Sequence, residues 1–128
     1  MVVVIETDAP GEGNRHVAGA NIVMTALYAI AVVLLAKALL GTVRTTGFDG
    51  TAVGISWTLV VVLAFASTHA VAAYGARRGR QWARTLSRVL AFLLFPAVPI
   101  GTAYGMSVFR NTRPGRWISA THTIHDAP

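Results

Sequence analysis

Residues 17–40 read VAGANIVMTALYAIAVVLLAKALL, an apolar run in which Lys37 is the only charged side chain. A helix rises about 1.5 Å per residue, so roughly 20 apolar residues cross a hydrocarbon core about 30 Å thick. Two further runs are long enough, residues 53–74 (VGISWTLVVVLAFASTHAVAAY) and residues 89–109 (VLAFLLFPAVPIGTAYGMSVF), and neither carries a formal charge. The three runs predict an all-α integral membrane bundle with three transmembrane helices.

The composition of the chain agrees with a membrane protein. Of its 128 residues, 54% are hydrophobic and 12% are charged, with 11 Lys and Arg against 5 Asp and Glu. Soluble domains carry about 25% charged residues, so the composition excludes an ordinary soluble globule, and its apolar content excludes a disordered basic arm. The absence of Cys excludes a disulfide scaffold, a Cys-ligated metal and a Cys nucleophile. Neither period-two alternation nor enough segments for a closed barrel are present, which leaves helices.

The domain organisation follows from these runs. Acidic residues near the start replace the basic region of a signal peptide, so the first run is expected to be an uncleaved anchor. We expect a flexible polar tail over residues 1–16, a transmembrane domain over residues 17–109 and a basic tail over residues 110–128.

Five arginines lie between the second and third runs with no acidic residue among them. The opposite loop, residues 41–50, holds one basic and one acidic residue. Short loops rich in Lys and Arg stay cytoplasmic. We therefore expect a multi-pass protein of the bacterial cytoplasmic (inner) membrane whose N-terminus and Arg77–Arg88 loop face the cytoplasm.

The segment after the third run conflicts with this orientation. Three arginines follow residue 109, and three full crossings would place them outside. Proline in a helix removes a hydrogen bond and kinks the chain, so Pro96 and Pro99 mark either a kink in a third span or the turn of a re-entrant hairpin. The three-span arrangement is the favoured interpretation, and two spans with a Pro-broken hairpin are the alternative.

The basic loop is the first candidate functional feature. Its arginines are spaced so that most of them would form one stripe if the segment were a continuous helix. Such a stripe fits anionic lipid headgroups or an acidic partner, and it also serves simply to fix the topology. The residues are Arg77, Arg78, Arg80, Arg84 and Arg88.

His69 is the second candidate, because it is a titratable side chain deep in an apolar run. Intramembrane titratable groups suggest a proton relay or a haem ligand. A neutral histidine that hydrogen-bonds Asn21, Thr25 or a backbone carbonyl is the simpler explanation.

Small residues form the third candidate feature. Gly101 and Gly105 make a GxxxG pair in the third run, and Ala66, Ala70 and Ala73 recur at helical spacing in the second. Small faces let helices approach closely in lipid. They predict packing sites, either within the bundle or between subunits.

No catalytic constellation is visible in the sequence. The apolar runs hold no carboxylate, and the chain contains no Gly-rich phosphate loop and no HExxH motif. His122, His125 and Asp126 lie in a tail that offers no frame for a zinc site. We expect no enzymatic activity, no cofactor, no metal and no nucleic-acid partner.

One segment resembles a known group of proteins. Residues 80–84 read RQWAR, Phe95-Pro96 follow, and residues 99–105 read PIGTAYG. This is similar to a pattern in small bacterial multi-span inner-membrane proteins of unknown function, in which R-x-W-A-R opens a helix and P-x-G-T-x-x-G lies in the last hydrophobic stretch. The resemblance implies a membrane protein without implying an activity.

The predicted function is that of a non-catalytic accessory, scaffold or regulatory subunit. Its expected partners are a bilayer with anionic lipids and other membrane subunits or further copies of itself. The alternative is a pore-forming or transport homo-oligomer, such as a holin-like protein or small channel.

Overall fold

The computed structural model describes residues 11–96 and 99–118. These residues form four helices joined by short turns, and the all-α prediction is confirmed for them. The helices are α1 (Glu12–Thr46), α2 (Gly50–Arg77), α3 (Gln81–Leu94) and α4 (Ile100–Asn111). Residues 1–10 of the predicted N-terminal tail lie outside the described residues, as do His122, His125 and Asp126.

Helices α1 and α2 are long and apolar enough to cross a membrane. They have 35 and 28 residues, which correspond to about 52 Å and 42 Å of helix. Both therefore extend beyond the predicted runs of residues 17–40 and 53–74. Only 6% of the most apolar window of each helix is buried within the chain.

The third apolar run is not a single helix. Helix α3 ends at Leu94 and α4 begins at Ile100, so Pro96 and Pro99 lie between two helices rather than within one. Proline lacks the N–H that a continuing helix would need. Helices α3 and α4 pack against each other, and at about 21 Å and 18 Å each is shorter than a hydrocarbon core of about 30 Å. The expected third span over residues 89–109 is not confirmed.

The chain divides into two compact units. Asn21–Val71 form one unit, here called the span unit, and Met1–Ala20 with Ala72–Pro128 form the other, here called the basic unit. The boundaries of both units fall within α1 and α2.

The basic unit has its own small core, formed where several parts of the chain meet. The first turns of α1, the end of α2, the start of α3 and the C-terminal segment each contribute. The buried residues of this core are Val17, Ala18, Ala76, Ala83 and Trp117.

The start of α1 is held against the segment after α4. The Gly13 N–H donates to the Arg116 carbonyl at 3.0 Å, and a Cβ on Gly13 would overlap the carbonyl oxygens of Asn111 and Arg116. Asn14 donates from Nδ2 to the Ile118 carbonyl at 2.8 Å and accepts the Ile118 N–H at 3.0 Å. Residues 12–16 are thus helical and packed, in contrast to the predicted flexible tail.

Candidate functional site

The predicted arginine stripe is interrupted by a turn. Helix α2 ends at Arg77, and Gly79 has a φ of 63°, a conformation that glycine adopts readily. The Gly79 N–H donates to the Ala76 carbonyl and the Arg80 N–H to the Gly75 carbonyl, the pattern of a Schellman helix end. The five arginines therefore occupy the end of α2, the turn and α3 instead of one continuous helical face.

Two arginines of α3 bind the C-terminal end of α4. Arg84 Nε donates to the Thr112 carbonyl at 2.8 Å. Arg88 donates from Nη2 to the same carbonyl at 2.8 Å and from Nε to the Thr112 hydroxyl at 2.9 Å. Thr112 is fully buried. Charged donors satisfy carbonyl groups at the end of a helix and interact favourably with the negative end of its dipole.

These hydrogen bonds join α3 to the C-terminal end of α4. They place the residue that follows α4 beside the first half of α3, with the Pro96–Pro99 turn at the other end of the two helices. The arginines that precede and follow the third apolar run therefore lie together within the basic unit. All basic residues of the chain except Lys37 and Arg44 belong to this unit.

The other arginines of the basic unit have different surroundings. Arg77, Arg78 and Arg80 are exposed, and the Arg78 guanidinium lies 4.6 Å from the centroid of the Tyr74 ring. Arg116 donates from Nη1 to Asn111 Oδ1 at 3.2 Å. Three arginines of the predicted set are thus available to anionic groups, while Arg84 and Arg88 are used internally.

The GxxxG pair lies inside the α3–α4 packing. Gly101 and Gly105 are both buried. A Cβ on Gly105 would lie 3.1 Å from Phe95 Cδ2 and 3.5 Å from the Ala91 carbonyl oxygen. This small face is therefore used to close the chain's own helix pair.

The three alanines of α2 do not share one environment. Ala66 is half-buried, Ala70 is exposed and Ala73 is 6% exposed. Ala73 belongs to the basic unit, whereas the other two belong to the span unit. Of the predicted packing residues, Ala70 is the one that faces away from the rest of the chain.

His69 is fully buried in the span unit and is paired with a residue of α1. Its Nδ1 lies 2.8 Å from Asn21 Oδ1, so this pairing uses one of the partners that the sequence suggested. Thr25, another suggested partner, donates instead to the Asn21 carbonyl at 2.8 Å. The Tyr28 ring stacks at 5.5 Å from His69 and at 5.8 Å from Phe65. The result is a buried polar pair whose imidazole stacks on the Tyr28 ring.

A cavity of about 570 Å³ lies in the basic unit along the outer face of α4. Its apolar lining includes Phe95, Met106 and Phe109, and its cationic lining includes Arg110 and Arg113. His16 of α1 contributes an imidazole to the same cavity. No pattern in the sequence predicted this site.

The helical spacing of residues 106, 109 and 110 is a local signal that places these three α4 residues on one face. The contribution of His16 has no local signal, because it depends on the contact between α1 and the C-terminal segment. Among the described residues, no group of three His, Cys, Asp or Glu side chains could hold a metal ion.

Comparison with known proteins gives no family for the chain. It matches no known protein-family profile, no curated protein and no solved structure. The resemblance of residues 80–105 to small bacterial inner-membrane proteins therefore stays a prediction.

Proposed function

We propose that the chain is a two-pass protein of the bacterial inner membrane. Helices α1 and α2 cross the bilayer, and α3 and α4 form a re-entrant hairpin whose proline turn enters the lipid. The N-terminus and both arginine clusters lie in the cytoplasm. This topology removes the conflict in the charge pattern, because both clusters then obey the positive-inside rule.

The hydrogen bonds to Thr112 support the hairpin over a third span. Arg84 precedes the apolar run and Thr112 follows it, so a full crossing would separate them by a hydrocarbon core of about 30 Å. Arg84 Nε lies instead 2.8 Å from the Thr112 carbonyl oxygen. Exposed apolar side chains near the turn, Phe92 and Ile100, give the hairpin a surface that lipid can cover.

We further propose that the protein acts as a non-catalytic accessory, scaffold or regulatory subunit through helix–helix packing of its spans. The supporting observation is the uncovered apolar surface of α1 and α2, of which only 6% is buried in each window. Small residues such as Ala64 and Ala70 are exposed on α2, and such residues let a partner helix approach closely.

The polar side chains of the span unit favour packing over a water-filled pore. The Thr58, Ser67 and Thr68 hydroxyls donate to carbonyls four residues earlier in their own helix. Asn21 and His69 are buried against each other. The apolar runs carry no carboxylate. The span surface is therefore apolar, whereas cation channels use rings of charged or carbonyl groups.

Site-specific crosslinking combined with a flux assay tests the accessory role. A photoreactive benzoylphenylalanine at Val60 or Val71, both exposed on α2, should yield one discrete adduct with a different polypeptide. The same label at Thr85, exposed on α3, serves as the matched control and should not form that adduct. The purified protein should not release ions from liposomes. Adducts between copies of this chain, together with ion leakage, would establish the pore-forming alternative instead.

A further inference from the structure

We propose that the cavity along α4 holds one anionic phospholipid, with its phosphate at Arg110 and Arg113 and an acyl chain along Phe95 and Met106. This inference rests on the proposed membrane location of the basic unit. It assigns lipid binding to residues other than the Arg77–Arg88 loop.

The lining of the cavity changes from apolar to cationic along the axis of α4. Met106, Phe109 and Arg110 share one face of α4, and Arg113 follows two residues after the end of the helix. In the proposed hairpin, the apolar end lies toward the proline turn and the cationic end toward the cytoplasm. A phospholipid has the same order of groups along its length.

The cationic end is available to an external anion. Arg110 and Arg113 are exposed, and their guanidinium groups make no hydrogen bond or ion pair with another residue within 11–96 and 99–118. This distinguishes them from Arg84 and Arg88, which are used on Thr112. None of the described residues that line the cavity is a carboxylate that would compete for them. Arginine binds phosphate oxygens through paired N–H donors.

His16 adds an imidazole to this end of the cavity from a second helix. Its Nδ1 lies 2.8 Å from the Glu12 carbonyl oxygen, so the Nδ1–H donates there. Nε2 is then an acceptor to which a hydroxyl of a glycerol headgroup can donate. Two helices thus contribute to the headgroup end.

The apolar end is large and uncovered. Phe95 is 48% exposed, Met106 is 65% exposed and Phe109 is 40% exposed. A volume of about 570 Å³ lies within the usual range of about 300–1,000 Å³ for small-molecule sites. Flexible Met106 and two aromatic rings suit an acyl chain of variable conformation.

Lipid titration of the full chain in mild detergent tests the assignment. The probe is dioleoyl phosphatidylglycerol with brominated acyl chains, read by quenching of a fluorophore on a cysteine introduced by Ala103→Cys in the Cys-free chain. Ala103 is exposed on α4, three residues before Met106, and does not line the cavity. Because basic residues near anionic lipid contribute about 1 kcal/mol each, the pair Arg110→Gln and Arg113→Gln should weaken binding about 30-fold. The control is the double variant Arg77→Gln and Arg80→Gln, which removes the same amount of charge outside the cavity and should weaken binding less than threefold.

Three results would overturn the proposal. Equal weakening by both pairs would indicate a non-specific electrostatic surface. Equal binding of brominated phosphatidylcholine would show that net negative charge is not recognised. Displacement of the lipid by glycerol phosphate at the same concentration would identify a simple phosphate site without an acyl-chain subsite. Unchanged tryptophan fluorescence in each variant excludes unfolding as the cause. Since the titration uses detergent and no partner, it can fail or succeed independently of the crosslinking test of the accessory role.

Discussion

The contact between Arg88 and Thr112 gives the sharpest prediction for the stability of the hairpin. Arg88→Gln removes the donors to the Thr112 carbonyl and hydroxyl, at 2.8 and 2.9 Å. Hydrogen bonds to charged groups contribute about 1.5–3 kcal/mol each. Arg88 is half-buried, and Arg84 continues to donate to the carbonyl. Solvent screening and this remaining donor reduce the expected loss to about 2–3 kcal/mol.

Equilibrium unfolding in mild detergent measures this loss. Trp117 is buried in the core of the basic unit, so its fluorescence reports unfolding there, in a background with Trp57→Phe and Trp82→Phe to remove the two more exposed indoles. Arg77→Gln, which removes an exposed arginine outside the contact, is the matched control and should change the free energy of unfolding by less than about 0.5 kcal/mol.

A double-mutant cycle separates the contact from general effects of charge. Thr112→Val removes the hydroxyl that accepts the Arg88 Nε–H while keeping the side-chain volume. Arg88→Gln and Thr112→Val should be coupled by about 1 kcal/mol, because contacting residues are not additive. The contact between Arg88 and Thr112 would be refuted by either of two results. One is a loss of unfolding free energy for Arg88→Gln no greater than that for Arg77→Gln, and the other is additive effects of Arg88→Gln and Thr112→Val.

Three further predictions concern other parts of the chain. Trp117→Ala should cost about 3–5 kcal/mol in unfolding followed by circular dichroism in detergent, whereas Trp117→Phe should cost less than about 1.5 kcal/mol, since the buried indole N–H has no hydrogen-bond partner among the described residues; equal losses would contradict a packing role. Asn21→Leu should cost about 0.6–1.7 kcal/mol in thermal unfolding in detergent, because it removes the hydrogen bond to His69; stabilisation would show that the pair does not hold α1 and α2 together. The Ala52 N–H donates to the Asp49 carboxylate and holds the pKa of Asp49 below its ordinary value of 3.8. The start of α2 should therefore be stabilised above pH 3.8 and should lose this stabilisation as the pH falls through the lower pKa of the folded state. Circular dichroism should show this acid-dependent loss of helix in the unmodified chain and not in Asp49→Asn.

The sequence was sufficient for the two long helices because their cause is local. A long apolar run with at most one charge predicts a helix in lipid whatever its neighbours are, and residues 17–40 and 53–74 both lie inside helices. The GxxxG pair was likewise predicted to pack, but its partner, α3, was not identified in advance. Small residues predict that another helix packs closely, but they do not identify that helix.

The hairpin could not be decided from the sequence because its evidence is long-range. Proline interrupts a helix whether the chain kinks or reverses, so Pro96 and Pro99 fit both interpretations equally well. The contact that distinguishes them joins Arg88 and Thr112. Neither an arginine nor a threonine in the sequence indicates which distant residue it will contact. The cavity was missed for the same reason, since His16 reaches α4 only through the fold of the basic unit.

The position of the C-terminal segment tests the central claim most directly. In the Cys-free chain, single cysteines can be introduced by Phe48→Cys, Gln81→Cys and Ser119→Cys without removing an arginine. A membrane-impermeant maleimide added to intact spheroplasts should label only Phe48→Cys. Permeabilisation of the inner membrane should then allow labelling of Gln81→Cys and Ser119→Cys. Labelling of Ser119→Cys in intact cells, with Gln81→Cys protected, would show that the third apolar run crosses the membrane and would contradict the re-entrant hairpin.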